Sequence, residues 1–258
     1  MVDLFSVTGK TVLVTGGSRG IGLMIAQGFV EAGAHVIVSS RKADVCAAVA
    51  AQLSAIGQCE AIPADLSTMD GAERLAEEVL AASPALGVLV NNAGATWGAP
   101  LEAYPDSAFD KLWAVNVKAM FRLTTALLPG LRATASAADP ARVINVGSID
   151  GIRVPALENY AYAASKAAVH MLTRQLAHRL APEHITVNAI APGPFESKMM
   201  AFALDDPTMR AAIEHQVPLG RIGRPEDVAG AAVYLASRAG AYLTGAVIPV
   251  DGGLSTHG

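Results

Sequence analysis

Residues 11–22, Thr-Val-Leu-Val-Thr-Gly-Gly-Ser-Arg-Gly-Ile-Gly, restrict the fold more than any other stretch of the chain. A short β-branched strand runs into a turn carrying Gly16, Gly20 and Gly22, and an apolar, Ala-rich run then continues to Gly33. Glycines let the backbone turn tightly and approach a pyrophosphate. The free N–H groups at the start of the following helix attract its negative charge. Glycine-rich turns also occur in ordinary loops, and it is the strand before and the helix after that point to a dinucleotide site.

The same alternation repeats downstream. Strands are predicted at His35–Ser39, 58–62, 86–90, 142–146, 185–190 and 246–250. Helices are predicted at 42–56, Met69–Ala82, 106–132, Tyr160–Leu180 and 225–237, the last with Pro225 in its first turn. Strand and helix trading places without a hairpin signal means crossover connections and a parallel sheet covered on both faces. No linker or repeat interrupts the 258 residues, so residues 1–258 read as a single domain, and the Ala-rich patch 133–138 reads as a surface extension. Ligands of an open parallel sheet gather at the carboxyl ends of its strands. That end collects the glycine turn, Ser39 to Arg41, Asp65, Asn91 and Asn92, Gly147 and Ser148, and Pro192 and Gly193.

Composition narrows the class. Hydrophobic residues are 52% of the chain and charged ones 16%, which suits strands buried on both faces. A net charge of −4 without a Lys/Arg run argues against nucleic acid. Residues 1–6 contain no basic apolar leader, and the apolar stretch 84–101 is broken by Asn, Gly and Pro, so neither a signal peptide nor a membrane span is expected. Cys46 and Cys59 are too few for a disulfide scaffold and lack metal-ligand spacing; His170 and His178 flank no metal partner. A cytoplasmic protein without a metal is the expectation.

Tyr162 and Lys166 stand four apart, one helical turn along the same face. Ser148 lies fourteen residues before Tyr162, just past a strand end, and Asn116 lies in the long helical region. A cation beside a phenol favours the ionised form, so Lys166 is expected to hold Tyr162 below its free pKa of about 10, ready for proton exchange. Taken alone, the pair reads more readily as an ordinary cation-bearing helix face. Tyr160, six residues from Lys166, points roughly 240° around the helix and faces away.

Together these motifs resemble the short-chain dehydrogenase/reductase family from about Lys10 to Gly253: the glycine turn, Asn91-Asn92-Ala93-Gly94, Asn116, Ser148, Tyr162-x-x-x-Lys166 and Pro192-Gly193. The resemblance implies a doubly wound α/β (Rossmann) sheet with helices on both faces. It implies that Tyr162 is the general acid/base, that Ser148 bonds the substrate oxygen, that Lys166 holds the nicotinamide ribose and tunes Tyr162, and that Asn116 supports a water relay to Lys166. Cofactor contacts are implied for Gly16, Ser18, Arg19, Gly20, Ile21 and Gly22. They are implied also for Asp65 and Leu66 near the adenine, Asn92, Ala93 and Gly94 along the cofactor, and Pro192, Gly193, Phe195 and Ser197 around the nicotinamide. Within the family the chain most resembles 3-oxoacyl reductases of the rhamnolipid-pathway type, on the run from Asn91 to Trp97, the insertion before Arg142 and the run from Gly220 to Pro225. The implied activity is NADP(H)-dependent reduction of a ketone, most often a 3-oxoacyl thioester. A dehydrogenase of a polyol, sugar acid or steroid is the alternative, and a nucleotide-sensing regulator a remote one.

Further readings follow from single positions. The second strand ends at Ser40, where an NAD enzyme places an acid on the ribose hydroxyls; Arg41, Lys42 and Arg19 instead suit a 2′-phosphate, which selects NADP. The segment 195–217 resembles the family's mobile lid. Its Phe195, Met199, Met200, Phe202, Leu204, Met209 and Ile213 either cover an apolar substrate or pack on the sheet. Trp97 either lines the mouth of the site or plugs its loop. Ala164, Ala167, Ala168 and Met171, opposite Tyr162 and Lys166, suit close helix contact in a homotetramer, as in the family. The basic residues that dock carrier proteins in fatty-acid-synthesis members fall here near Ala137 and at Glu183, so carrier docking is not expected.

Overall fold

The computed structural model describes residues 3–256. Its centre is one seven-stranded sheet, all parallel, built from β1 (Thr11–Thr15), β2 (His35–Ser39), β3 (Cys59–Ala61), β4 (Val88–Asn91), β5 (Ala141–Val146), β6 (Ile185–Pro192) and β7 (Val247–Val250). The spatial order is β3-β2-β1-β4-β5-β6-β7. From β1 the chain winds outward to β3, then returns to β4 on the other side and winds outward again. The gap between the β1 and β4 ends is therefore the point where winding reverses, and an open α/β sheet leaves a crevice there.

Alternation along each strand builds two cores. Val12 and Val14 point to one face, where they join Ile25 and Phe29 of α1 (Gly20–Glu31) and Val228 and Leu235 of α10 (Pro225–Ala236). Leu13 points to the other, with Leu75 and Val79 of α3 (Met69–Ala82), Leu123 of α5 (Ala119–Ala126) and Leu176 of α7 (Tyr160–Leu180). Each such side chain, fully buried, contributes about 1.5 to 3 kcal/mol. α2 (Ala43–Ser54) closes the first face beside β2 through Cys46 and Leu53. Pro249 is tolerated in β7 because that strand lies at the sheet edge, where a missing N–H breaks no interior ladder.

The long helical region predicted at 106–132 is not one helix. It divides into α4 (Asp106–Trp113), a π turn (Ala114–Lys118), α5 and α6 (Leu128–Thr134), with Pro129 in the first turn of α6. The extra residue in the π turn re-aims Asn116, and such bulges recur at functional sites. The lid segment folds into two short helices, α8 (Ala201–Leu204) and α9 (Pro207–Gln216), the second capped by Asp206, whose Oδ1 accepts from the N–H groups of Thr208 (2.8 Å) and Met209 (3.1 Å). The Ala-rich patch ends α6 and turns at Ser136, whose N–H donates to the Asp139 carbonyl. None of the helices among the described residues is long and apolar enough to cross a membrane.

Candidate active site

The parallel register brings the predicted polar ends side by side: Thr15 is level with Ser39, Asn91 with Asn145, and Val146 with Ile190. Asn92 and Thr15 brace the glycine turn between β1 and α1. Thr15 Oγ1 accepts from the N–H groups of Asn92 and Ala93, both at 3.0 Å, while Asn92 Nδ2 donates to the carbonyls of Thr15 (2.9 Å) and Gly16 (3.2 Å). Gly22 has to be glycine here, since a Cβ would lie 2.3 Å from both Asn92 Nδ2 and the Gly16 carbonyl oxygen. The turn carries Ser18 and Ile21 half-buried, and Arg19 exposed as the residue that starts α1.

At the end of β2 the Ser39 and Ser40 hydroxyls are buried without a hydrogen-bond partner. Arg41 follows, exposed, and it helps hold the nearby Asp65 carboxyl low, after the larger effect of the Ser67 N–H bonded to it at 2.9 Å. Two residues of the predicted set send their side chains elsewhere. Leu66 packs into the second core cluster, and Phe195, 2% exposed, packs into the first with its ring against Gly223. Each therefore offers the crevice its main chain only. Gly193 packs against Asp251, and Ser197 lies over Gly20 of the turn.

Ser148 follows β5 and Tyr162 and Lys166 stand on α7. The Ser148 hydroxyl lies close enough to the Tyr162 phenol to favour its ionised form. Lys166 is buried, its ammonium donating to the Val146 carbonyl at 2.8 Å and lying 5.6 Å from the centre of the Tyr162 ring. The expectation that Lys166 holds Tyr162 below its ordinary value fails in this structure. Burial pushes Tyr162 up to about 12, with the Ser148 hydroxyl acting downward and the Asp150 charge upward, and burial brings Lys166 itself down to about 8. The physical reason is orientation: four-residue spacing sets the shared face, but the ammonium turns to a carbonyl, and loss of water at the phenol dominates.

Asn116, buried on the π turn, spends its side chain on the loop after β4. Its Oδ1 accepts from Ala95 N–H (2.9 Å), and its Nδ2 donates to the Ala95 carbonyl (3.0 Å) and to Ser165 Oγ (2.9 Å). Ser165 in turn donates to the Tyr162 carbonyl at 2.7 Å, so Asn116 ties the loop carrying Gly94 to the helix carrying Tyr162. Tyr160 points outward, its hydroxyl on Glu158.

Sequence reasoning missed Ser165 and a buried chain beneath the site in which Asn91 Nδ2 donates to Thr124 Oγ1 and to Asn145 Oδ1, both at 3.0 Å, and Asn145 Nδ2 to Thr173 Oγ1 at 2.9 Å. His170, read from the sequence as an ordinary helix residue, is a packing residue of the site's floor. This ring is 5% exposed and fills the space beside Gly147, where a Cβ would stand 2.2 Å from Nε2; burial pushes it down to about 4, so it is neutral. One signal was available: polar residues at interior strand and helix positions need buried partners.

Beside the N-terminus of α7 a cavity of about 300 Å³ opens, walled by Ala99, Pro100, Leu157, Asn159 and Phe202. Two loops form it, joined where Ala99 N–H donates to the Glu158 carbonyl at 3.1 Å. Phe202 of the lid is exposed toward it, whereas Ala203 and Leu204 are buried, so the lid both packs and covers. Trp97 is half exposed, with Lys111 over its ring and its carbonyl bonded by the Tyr104 hydroxyl; it props the loop and is absent from the cavity walls.

A doubly wound sheet with this crevice, glycine turn and Ser–Tyr–Lys set defines a nucleotide-dependent oxidoreductase. Residues 15–255 match the family model described as enoyl-(acyl carrier protein) reductase, and the chain belongs to the short-chain dehydrogenase/reductase family. It is 54% identical over 253 residues, 98% of this chain and 99% of the relative, to the rhamnolipids biosynthesis 3-oxoacyl-[acyl-carrier-protein] reductase of Pseudomonas aeruginosa. It is 38% identical, over 98% of each chain, to a 2-dehydro-3-deoxy-D-gluconate 5-dehydrogenase of Pseudoalteromonas atlantica. Among solved structures, the Pseudomonas aeruginosa RhlG/NADP active-site complex superposes with a TM-score of 0.96 at 53% identity, covering 99% of this chain and all of that one. A gluconate 5-dehydrogenase of Burkholderia cenocepacia in complex with NADP and tartrate gives 0.91 at 31% identity, over 99% of each.

Proposed function

We propose that this chain is an NADP(H)-dependent reductase that converts the ketone of a 3-oxoacyl thioester, or of a related small carbonyl compound, to a secondary alcohol. The observation that carries this reading is Ser148 just past β5 with Tyr162 and Lys166 on α7, at the same strand ends as the braced glycine turn. The 54% identity to a 3-oxoacyl-[acyl-carrier-protein] reductase favours an acyl substrate over a polyol. NADPH, when bound, supplies the hydride. The residues present suit it: the glycine turn opens onto the N-terminus of α1, which attracts a pyrophosphate, and the orphaned hydroxyls of Ser39 and Ser40 offer partners to a polar ligand at the β2 end. Gly16 to Gly22 would hold the pyrophosphate, Asp65 the adenine side, and Lys166 a ribose.

Ser148 and Tyr162 are the two hydroxyls that would meet a substrate carbonyl oxygen. Donation from each polarises the carbonyl, and Tyr162, protonated at neutral pH, delivers its proton to the oxygen as carbon is reduced. Asn116 and Ser165 keep the loop and helix in register during this step.

Acetoacetyl-CoA, longer 3-oxoacyl-CoA, their carrier-bound forms, diketones, steroids and polyols, each followed by NADPH absorbance, test the reading. Among thioesters, CoA forms are expected to be reduced at least as efficiently as carrier-bound ones. Glu183 stands at one docking position and is already shared by Arg132 Nε (2.7 Å) and Arg179 Nη1 (2.9 Å), which neutralises bases that a carrier would seek. A carrier substrate reduced far more efficiently than its CoA counterpart would overturn that expectation, and turnover of polyols alone would overturn the reductase reading.

Assembly rests on α7. Ala164, Ala167 and Met171, the last 52% exposed, are exposed and Ala168 is half-buried, so this face is not packed within the chain. A homotetramer closed through it is the proposed state, and solution scattering at micromolar concentration should give the mass of four chains; a monomer would sink the idea.

A further inference from the structure

Between β5 and α7 lies a carboxyl for which the mechanism above has no use. The Asp150 N–H donates to Ser148 Oγ at 3.1 Å, and its Oδ2 accepts from Asn159 Nδ2 at 2.9 Å. Asn159 is 5% exposed and immediately precedes α7, and its carbonyl accepts from Ala163 N–H in the first turn. One side chain thus bridges the loop that carries Ser148 and the helix start that carries Tyr162.

Its electrostatic setting is equally specific. Burial holds Asp150 above the ordinary carboxylate range, while the Asn159 bond and the Arg153 charge act the other way. Arg153 reaches the Leu254 carbonyl from the same loop. On α7, the Lys166 ammonium is committed to Val146, and His170, which borders Lys166, is neutral. Glu158, on the far side of Asn159, is engaged by Leu101 N–H and the Tyr160 hydroxyl. Of these groups, Asp150 is the anion that acts on Tyr162.

We propose that Asp150 is a positioning residue: through Asn159 it fixes the Ser148 loop to the start of the catalytic helix, and it holds a negative charge beside the Ser148–Tyr162 pair. This rests on Tyr162 being the acid of the reductase reading. An anion beside a phenol disfavours the phenolate. Alcohol oxidation requires Tyr162 ionised and rises with pH through its titration; ketone reduction requires it protonated and falls over the same range. Removing the anion moves both limbs to lower pH.

Asp150→Asn keeps an oxygen for Asn159 and removes the charge, and both limbs of kcat/KM are expected to move down by about one pH unit. Asn159→Ala keeps the charge and breaks the tether; turnover should fall roughly tenfold or more with the limbs in place. The same shift is read without turnover from tyrosinate absorbance with NADP present, taking each protein minus its Tyr162→Phe counterpart. Asp150→Ser, read the same way, serves if Asp150→Asn does not fold. Limbs and tyrosinate titration that stay put or move up in the Asp150 variants overturn the proposal, as does an equal shift in Asn159→Ala. A protein that reduces no ketone, yet whose tyrosinate titration moves down with Asp150→Asn, overturns the reductase reading and supports the role of Asp150.

Discussion

Tyr162→Phe is expected to lower kcat/KM for ketone reduction by 10²- to 10⁴-fold, the range lost with a positioned proton donor, or about 3 to 5 kcal/mol of barrier. The affinity for NADPH should change by less than about threefold on the expectation that the ring still packs. The substitution removes one oxygen from a side chain whose ring lies beside Lys166, and it leaves the Lys166–Val146 bond and the Asn116–Ser165 brace untouched. Tyr160→Phe is the control. Its hydroxyl is held by Glu158 on the outer face of α7, so its loss should leave steady-state rates near those of the parent. Stopped-flow or steady-state NADPH consumption compares the two, and greater damage from Tyr160→Phe would mean that the wrong tyrosine has been named.

How far the sequence alone could go differs between backbone and side chain. α3 and α7 run over the residues that the sequence reading predicts, Met69–Ala82 and Tyr160–Leu180, because Thr68 caps the first, which has one apolar stripe, and the second turns one continuous face inward. The sheet was legible for a similar reason, since buried parallel strands are short apolar runs bounded by glycine and polar residues. Composition could not show where the helical period slips. The π turn at Ala114–Lys118 carries residues as helix-compatible as its neighbours, so the break that aims Asn116 is invisible in spacing. Side-chain direction was harder still. Phe195 lies within a functional motif yet plugs the core, because Gly223 leaves its ring a socket and the sheet gains more from filling it than the crevice would. Lys166 shares a face with Tyr162 but bonds Val146, a choice that depends on a carbonyl twenty residues away in sequence. Asp150 and His170 belong to no spacing pattern; their surroundings come from a loop folding back on a helix.

Ser40→Asp is expected to weaken NADPH by a hundredfold or more while leaving NADH within a few-fold, because a carboxylate at that strand end repels a 2′-phosphate and accepts the ribose hydroxyls. The structure supplies the physical setting. Arg19 begins α1 with its side chain exposed and not used as a cap, Arg41 is exposed just beyond β2, and among the described residues neither has a carboxylate within ion-pairing distance. At the end of β2 the Ser39 and Ser40 hydroxyls are buried and unbonded. Basic side chains gain nothing from the positive end of a helix, so Arg19 at the start of α1 and Arg41 just before α2, with open hydroxyls at the end of β2, call for an anion. Charge-assisted bonds from a guanidinium contribute about 1.5 to 3 kcal/mol each, and two such contacts favour NADP over NAD by roughly a hundredfold at about 1.4 kcal/mol per factor of ten. Arg19→Ala and Arg41→Ala should therefore each raise the NADPH dissociation constant at least about tenfold, with NADH little changed. Fluorescence titration of both nucleotides against the unmutated protein decides the matter, since NADH bound as tightly as NADPH would mean that the two guanidiniums form no clamp.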